Sequence, residues 1–337
     1  MNIRLTGYFD KNFGDDLMQL IVVENMPEDH FFVDCPQREF LTHFDGRENV
    51  RTDSGESADA YVNVIGTGFQ YPSKMNRITK FLSIPGEKKL RYRKTAVIDC
   101  SVDLPENAAE RWLIQRELNK YRLISCRDSV SEAMIANMAK KSQIKRHEDL
   151  VFALDQKYLA PLTDEGCLGV IPVQRGFSDV NFSYYKTLAA ACDRFVEEES
   201  KPVLLFALDT GNENDTLAAM SVKRLMRHAD AAEIIAYNSE PEFVFRQMAR
   251  CAKIISSRFH GVVAAVLAGV PAAAVSDTTK IDLLAEKLGF NVLKKSALTE
   301  EGLISLIRQP VQPVPLPETV RQDAREHLTE LREYLRG

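Results

Sequence analysis

An arginine and a histidine stand two residues apart in the segment Ser256–Gly261, directly after the apolar pair Ile254–Ile255. The small residues that follow predict a helix ending at Gly269, so Arg258 and His260 lie where a strand gives way to a helix. Open α/β sheets bind their ligands at this edge. A guanidinium suits an anionic substrate, and a nearby imidazole can donate a proton to it.

The next strand and helix add a second cation. The apolar strand Ala272–Val275 leads to Ser276 and Asp277, which are expected to cap a helix that contains Lys280. Two successive strand-to-helix turns therefore present two cations and an imidazole in one neighbourhood.

His260 is one of six histidines in the chain. The others stand in polar contexts without an obvious partner: His30, His43, His147, His228 and His327. A lone histidine is more often structural than catalytic. Its position at a sheet edge beside an arginine favours proton donation near bound anions.

Two glycine-containing loops are further candidates for ligand contact. The first holds Asn12, Gly14 and Asp15 after the first predicted strand. Glycine permits close backbone approach, and free N–H groups at a helix start attract anions. From residue chemistry alone, a turn capped by Asn12 and Asp15 is the favoured alternative. The second loop holds Gly66 and Gly68, which a tight turn explains adequately.

Arg127 ends the predicted strand Leu123–Cys126. Its planar guanidinium can bind a carboxylate or phosphate of a ligand. It can equally form a structural ion pair with Asp128 or Asp149, and the sequence favours neither interpretation.

Strand and helix patterns alternate along the chain, which is typical of parallel α/β layers. They predict a first domain over residues 1–160, a turn-rich boundary, a second domain over residues 165–310 and a C-terminal helix within 318–337. Ser129 or Ser131 is expected to cap the helix after Arg127. The strands predicted early in the chain are Ile3–Tyr8, Phe31–Asp34, Ala60–Ile65, Lys80–Ile84 and Ala96–Asp99.

Composition limits the classes of function. With 337 residues, 45% of them hydrophobic, the chain can build two domains with real cores. A net charge of −5 argues against a nucleic-acid surface. The six cysteines are dispersed without metal-ligand spacing, so we expect thiols in a reducing compartment and no metal site. Without a signal-peptide pattern or an apolar run of membrane length, a cytoplasmic protein is expected.

At these residues the chain resembles the polysaccharide pyruvyl transferase family. The most specific match is the segment Ser257-Arg258-Phe259-His260-Gly261, and the other matches occur in the family's order. Those other matches are Asn12-Phe13-Gly14-Asp15, Gly66-Thr67-Gly68, Ser125-Cys126-Arg127-Asp128 with Ser131, Asp149 before an apolar pair, Ala268-Gly269-Val270-Pro271 and Lys280-Ile281.

The resemblance implies an α/β fold similar to GT-B glycosyltransferases, with two Rossmann-like domains facing across a cleft. It also implies exopolysaccharide or cell-envelope biosynthesis, in which the enolpyruvyl-derived unit of phosphoenolpyruvate moves to a sugar as a ketal and phosphate is released. The family places this donor on Arg127, Arg258 and His260. Members often carry Ser-Tyr-Asp before the lysine, whereas this chain has Ser-Asp-Thr-Thr before Lys280, so that acceptor contact does not carry over.

Donor chemistry agrees with these residues. Phosphoenolpyruvate carries a carboxylate and a phosphate, for which Arg127, Arg258 and Lys280 supply cations. Ketal formation requires a proton on the methylene carbon, and His260 is the best donor. Asp15 is a candidate base, although its capping role is favoured.

We therefore expect a metal-independent reaction without a cofactor. The expected partners are phosphoenolpyruvate and a sugar acceptor, lipid-linked or not, with peripheral association to membrane-bound biosynthetic machinery and no nucleic acid. Two other functions stay open: a nucleotide-sugar glycosyltransferase of the same architecture, and a non-catalytic sugar-binding protein.

Overall fold

The structure is a computed structural model that describes residues 1–33, 35, 37–52, 57–67, 92–102, 108–174, 179–310 and 312–337. The predicted strand Lys80–Ile84 and the candidate ligand residue Gly68 lie outside these residues. The chain divides into two compact units. Unit 1 comprises Met1–Phe9, Asp15–Leu154 and Glu318–Gly337, and unit 2 comprises Asp10–Gly14 and Asp155–Pro317. The C-terminal segment thus belongs to unit 1, and residues 10–14 belong to unit 2.

Unit 1 contains a parallel sheet of seven described strands. They are β1 Asn2–Gly7, β2 His30–Val33, β3 Val50–Thr52, β4 Ala60–Val64, β5 Lys94–Cys100, β6 Leu123–Cys126 and β7 Gln143–Arg146. Their order across the sheet is β3-β2-β1-β4-β5-β6-β7. The winding direction reverses between β1 and β4, and doubly wound sheets bind ligands beyond the strand ends at such a switch point.

The helices described in unit 1 cover the sheet with their apolar sides. They are α1 Phe13–Glu24, whose first two residues belong to unit 2, α2 Ala108–Leu118, α3 Ser129–Met138 and the C-terminal α10 Glu318–Arg336. The buried residues of α10 recur every three or four positions, as in an amphipathic helix, and the helix packs on β5, β6 and the short turn Leu150–Ala153.

Unit 2 repeats the same winding with six described strands. They are β8 Cys167–Ile171, β9 Val203–Ala207, β10 Ala232–Ala236, β11 Cys251–Ser256, β12 Ala272–Val275 and β13 Asn291–Leu293, in the order β10-β9-β8-β11-β12-β13. The helices are α4 Asp179–Glu199, α5 Asp215–Leu225, α6 Pro241–Met248, α7 Phe259–Leu267, α8 Thr279–Leu288 and α9 Glu300–Arg308. The switch point lies between β8 and β11. The predicted class, two parallel α/β domains, is confirmed.

Two predicted helix caps are wrong. Neither Ser129 nor Ser131 caps α3, because Asp128 lies in extended backbone and its carboxylate accepts a hydrogen bond from the Ser131 amide at 2.7 Å. Neither Ser276 nor Asp277 caps α8, because the residue before this helix is Thr278. The Ser276 hydroxyl accepts a hydrogen bond from the Thr278 amide, and the Asp277 carboxylate accepts one from the Ser296 amide. Both errors come from side chains that bind elsewhere in the loop.

The sequence analysis also missed several short elements and placed others one or two residues off. Strands β3, β7 and β13 are three or four residues long, which is too short for an alternating pattern to show. Among the described residues, every helix is too short or too polar to span a membrane.

Candidate functional site

The turn from β11 into α7 presents the arginine and histidine of unit 2. Arg258 is the residue before α7, and the Ser256 hydroxyl fixes it by accepting from the Arg258 amide at 3.0 Å. A Cβ on Gly261 would lie 2.3 Å from Ser256 Oγ and 2.7 Å from Ile171 Cδ1, so only glycine allows the helix to start this close to the strands. The first turn of α7 therefore has a tightly determined position at the switch point.

The Arg258 guanidinium binds two carboxylates of unequal environment. Its Nε and Nη2 donate to the two oxygens of Asp215 at 2.9 and 2.6 Å, a bidentate pair, and its Nη1 donates to Glu213. The Asp215 side chain is fully buried, whereas the Glu213 side chain is 53% exposed. Burial opposes the charged form of Arg258, but both carboxylates outweigh it and raise the arginine's pKa. The bidentate pair with buried Asp215 therefore fixes the guanidinium more strongly than the contact with exposed Glu213 does.

Asp215 is itself held by backbone from two strand ends. It accepts hydrogen bonds from the amides of Gln174 at 3.1 Å and Asp209 at 3.2 Å. Asp209 in turn accepts from the Asn12 side-chain amide at 3.0 Å. Burial raises the pKa of Asp209 to about 6, against the opposing effects of Asn12 and Arg258. These carboxylates form a support that joins the loop after β9 to the arginine.

Gly14 packs directly on the imidazole of His260. A Cβ at position 14 would lie 1.8 Å from His260 Nδ1, so no other residue fits without displacing the ring. The segment around Gly14 is fixed in unit 2 because the Phe13 amide donates to Leu208 O at 2.9 Å. Asn12 accepts from the Gly14 amide at 3.1 Å, so its predicted capping role and its contact with the candidate site coexist.

Lys280 joins this group through an aromatic ring. Its Nζ lies 5.6 Å from the centroid of the Phe259 ring, and the His260 ring lies 5.3 Å from the same ring, edge to face. Both α7 and α8 begin here, and helix N-termini attract anions. The structure thus brings His260 and Lys280 together on the Phe259 ring, directly after Arg258 in the chain, and Phe259 was not among the candidates predicted from the sequence.

Arg127 lies in unit 1, and its surroundings are closed. Its Nη1 donates to Asp149 at 2.7 Å and to Asp99 at 3.4 Å, and its Nε donates to Ser101 Oγ at 2.9 Å. Its side chain is only 3% exposed. Burial opposes the charge of Arg127, yet Asp149 and Asp99 outweigh it and raise the arginine's pKa. Of the two ion-pair partners considered from sequence, Asp149 is the one that Arg127 binds.

The Gly66 loop rests on this guanidinium. A Cβ on Gly66 would lie 3.1 and 3.2 Å from the two terminal nitrogens of Arg127, and Thr67 Oγ1 accepts from Arg127 Nη2 at 3.3 Å. Asp15, half-buried in the first turn of α1, adds to the electrostatic attraction that raises the pKa of Arg127. Three predicted candidates of unit 1 therefore share one neighbourhood at the ends of β4 and β6.

A family model for polysaccharide pyruvyl transferases matches residues 12–278, well over half of the chain. The protein belongs to the polysaccharide pyruvyl transferase family. The matched range includes Arg127, Arg258 and His260, and Lys280 lies two residues beyond its end. No curated protein matches the sequence.

Several solved structures have a similar fold. MnaA from S. aureus, solved with UDP, has a TM-score of 0.63 at 10% identity over 99% of this chain and 96% of that one. The UDP-GlcNAc 2-epimerase from Neisseria meningitidis, bound to UDP-GlcNAc, has a TM-score of 0.61 at 10% identity over 99% and 100%. Anabaena Alr3699/HepE, in complex with UDP and glucose, has 0.57 at 10% over 99% and 98%. At such identities the likeness establishes the GT-B-like fold alone.

The carboxylates that bind Arg258, and Asp99 beside Arg127, were not predicted from the sequence of this family member, whereas Asp149 was. Asp209, Glu213 and Asp215 follow a buried strand in a loop rich in glycine and asparagine, and position alone could have marked them as rim residues. The sequence gives less indication that Asp99 is a rim residue. It adopts a left-handed backbone with φ of 63°, which a sequence does not reveal for an aspartate.

The expectation that the other histidines lack partners is wrong for His327. This side chain is fully buried in α10, where Nδ1 lies 2.5 Å from Ser125 Oγ and Nε2 lies 2.9 Å from Glu148 O and 3.3 Å from Asp99. Burial and Asp149 raise the pKa of Asp99, against the opposing effects of His327 and Arg127. The many charged residues of α10 gave no indication in the sequence that His327 is buried.

His43, for which the sequence shows no obvious partner, also has one. It is buried, and its Nε2 lies 3.1 Å from Gln19 Oε1. Burial, helped by Arg47, lowers the pKa of His43 to about 3. In the part of the chain that the structure describes, no cluster of three or more His, Cys, Asp or Glu side chains could hold a metal ion.

Proposed function

We propose that this family member transfers the enolpyruvyl-derived unit of phosphoenolpyruvate onto two hydroxyls of a polysaccharide sugar, or of its precursor, as a ketal. Family membership supports the class of reaction. The observation that carries the proposal is the packing of His260 and Lys280 against Phe259 at the start of α7 and α8, where Arg258 is the residue that precedes α7. Two cations and two helix N-termini suit a small ligand with a carboxylate and a phosphate.

The two arginines take different roles in this proposal. Arg258 keeps one nitrogen, Nη1, on the exposed Glu213, so a donor anion can reach it. Arg127 is only 3% exposed and bound by Asp149. We therefore assign Arg127 a supporting role beneath Gly66 and Thr67 rather than direct donor contact.

The chemistry follows from the donor. His260 gives a proton to the methylene carbon, which becomes the methyl group, and the first sugar hydroxyl adds to the carbon that bears the phosphate. The carbon–oxygen bond to phosphate then breaks, and the second hydroxyl adds at the same carbon. Over the whole reaction, the proton of one sugar hydroxyl restores the proton that His260 gave to the methyl carbon, and the proton of the other hydroxyl leaves with phosphate. General acid catalysis of this kind contributes about 10²–10⁴-fold in rate.

The test is phosphate release from phosphoenolpyruvate in the presence of a panel of sugar acceptors. His260→Gln should fold normally, still bind phosphoenolpyruvate and lose turnover by about 10²-fold or more. His228→Gln is the matched control, because His228 lies in the same unit, its side chain is 43% exposed and, among the described residues, its ring hydrogen-bonds only to Glu197. Near-normal turnover of His260→Gln would refute the acid role.

A nucleotide-sugar glycosyltransferase is the second candidate, favoured by the UDP ligands named for the structures of similar fold. Thermal stability separates the two. A ligand that binds the folded protein raises its melting temperature with concentration. Stabilisation by phosphoenolpyruvate and not by UDP-GlcNAc supports the pyruvyl transferase, and the reverse result supports the glycosyltransferase.

A further inference from the structure

The carboxylates that bind Arg258 differ in how easily they can leave. Asp215 is fully buried, and two backbone amides hold it in place. Glu213 is 53% exposed, and Arg258 is the hydrogen-bond partner recorded for its carboxylate in the described residues. An exposed ion pair contributes little to stability because water and salt screen it. The contact between Glu213 and Nη1 is therefore the replaceable one.

The same nitrogen lies where an anion would bind. The Arg258 side chain runs from the end of β11 to Asp215, which also accepts from the Gln174 amide beyond β8. It thus bridges the strand ends on either side of the switch point, where doubly wound sheets hold ligands. A phosphate or carboxylate of a ligand bound at this place is negatively charged, as the Glu213 carboxylate is. Both would accept hydrogen bonds from the same Arg258 nitrogen.

We propose that Glu213 occupies Arg258 as an internal stand-in for the anionic donor, which must displace it to bind. Glu213 thereby sets the affinity of the site for phosphate-bearing ligands, while Asp215 keeps the guanidinium in position. This inference rests on the proposed function for the identity of the donor, but the competition itself concerns any small anion. It assigns opposite effects to two acidic residues that bind one arginine.

Binding of inorganic phosphate and of phosphoenolpyruvate, measured by calorimetry at low salt, tests the proposal. Glu213→Gln should bind both anions roughly two- to fivefold more tightly, the range expected on losing an exposed ion pair that competes with the ligand. Asp215→Asn should bind them more weakly, since the guanidinium loses its buried anchor. Circular dichroism and the melting temperature establish that each variant is folded, and Glu213→Gln alone decides the proposal if Asp215→Asn is not.

Two controls separate competition from a general change in charge. Glu240→Gln removes the same charge from another exposed position of unit 2 whose side chain makes no cap hydrogen bond. It should leave affinity unchanged. In an Arg258→Gln background, the gain from Glu213→Gln should vanish. An unchanged or weaker affinity of Glu213→Gln, an equal gain in Glu240→Gln, or a gain that persists without Arg258 would overturn the proposal.

The outcomes also separate this proposal from the proposed function. If Glu213→Gln binds inorganic phosphate more tightly but no acceptor supports phosphate release from phosphoenolpyruvate, the competition stands and the reaction is wrong. If turnover is established and Glu213→Gln raises neither anion's affinity, the reaction stands and the competition is wrong.

Discussion

Each unit of the protein places an arginine directly after a strand of a doubly wound sheet, yet the two arginines are in opposite situations. Arg127 is 3% exposed and paired with the buried Asp149 and Asp99. Arg258 is 18% exposed and shares its donors between the buried Asp215 and the exposed Glu213. The same residue type at the same kind of position is therefore a structural support in one unit and an accessible cation in the other. The burial of the carboxylates paired with each arginine determines which of the two roles it has.

Replacement of each arginine by alanine should have the largest effects and should differ between the two units. Arg127→Ala removes the cation that two buried carboxylates share, Asp149 and Asp99, and should destabilise unit 1 by about 3–5 kcal/mol although each keeps a backbone hydrogen bond. Arg258→Ala leaves Asp215 with its backbone hydrogen bonds and should cost only about 1.5–3 kcal/mol. Urea unfolding followed by circular dichroism measures both, and fluorescence of Trp112, the single tryptophan, follows unit 1. Equal losses in the two variants would mean that the burial of the counter-ions does not set the difference.

Alanine at the two loop glycines should change activity to different extents in the two units. Gly14→Ala forces the His260 ring away from a Cβ that would lie 1.8 Å from Nδ1, and a shift of about 1 Å at a catalytic group can cost about 10²-fold in rate. Gly66→Ala meets the Arg127 nitrogens only at 3.1 and 3.2 Å, so small adjustments suffice and a change below about fivefold is expected. Phosphate release measures both variants, and comparable losses would contradict the placement of His260 at the reacting centre.

The smallest expected effect concerns pH. Because the pKa of Asp209 is raised from 3.8 to about 6 in the folded protein, the folded state binds more protons than the unfolded state between these values. Asp209 therefore contributes stability below about pH 4 that is lost as the pH rises to 6. Asp209→Asn should remove this decline, which a pKa raised from 3.8 to about 6 limits to about 3 kcal/mol and which solvent screening reduces to the order of 1 kcal/mol. The difference in unfolding free energy between wild type and variant, measured from pH 4 to 7, should change in that window, and a constant difference would refute the shift.

Much of the fold could be predicted because its signals are local. The strands Leu123–Cys126 and Ala272–Val275 have the bounds that their apolar runs predict. Several strand ends differ from the prediction by a residue or two, as in β1 Asn2–Gly7 and β2 His30–Val33. The short strands and α6 escaped prediction because three to eight residues carry too little periodicity.

Within the candidate site, only contacts between residues close together in the sequence could be predicted. Arg258 directly precedes α7 and His260 lies in its first turn, so their closeness follows from a separation of two residues along the chain. The partners of Arg258 did not follow, since Asp215 is 43 residues away in sequence. The contact between Gly14 and His260 spans most of the chain, and only the packing of unit 2 reveals it.

By itself, the sequence determined the alternation of strands and helices, the family motif and the placement of Arg258, His260 and Lys280 at strand ends. These depend on apolar periodicity and on turn residues, which act over a few positions. The tertiary structure alone decided which carboxylate faces each arginine and which side chains are buried with it. His327 binds Ser125 from 202 positions away, and Asn12 binds Asp209 from 197. Such pairs depend on strand order and on the desolvation of both partners, which no local pattern of residues encodes.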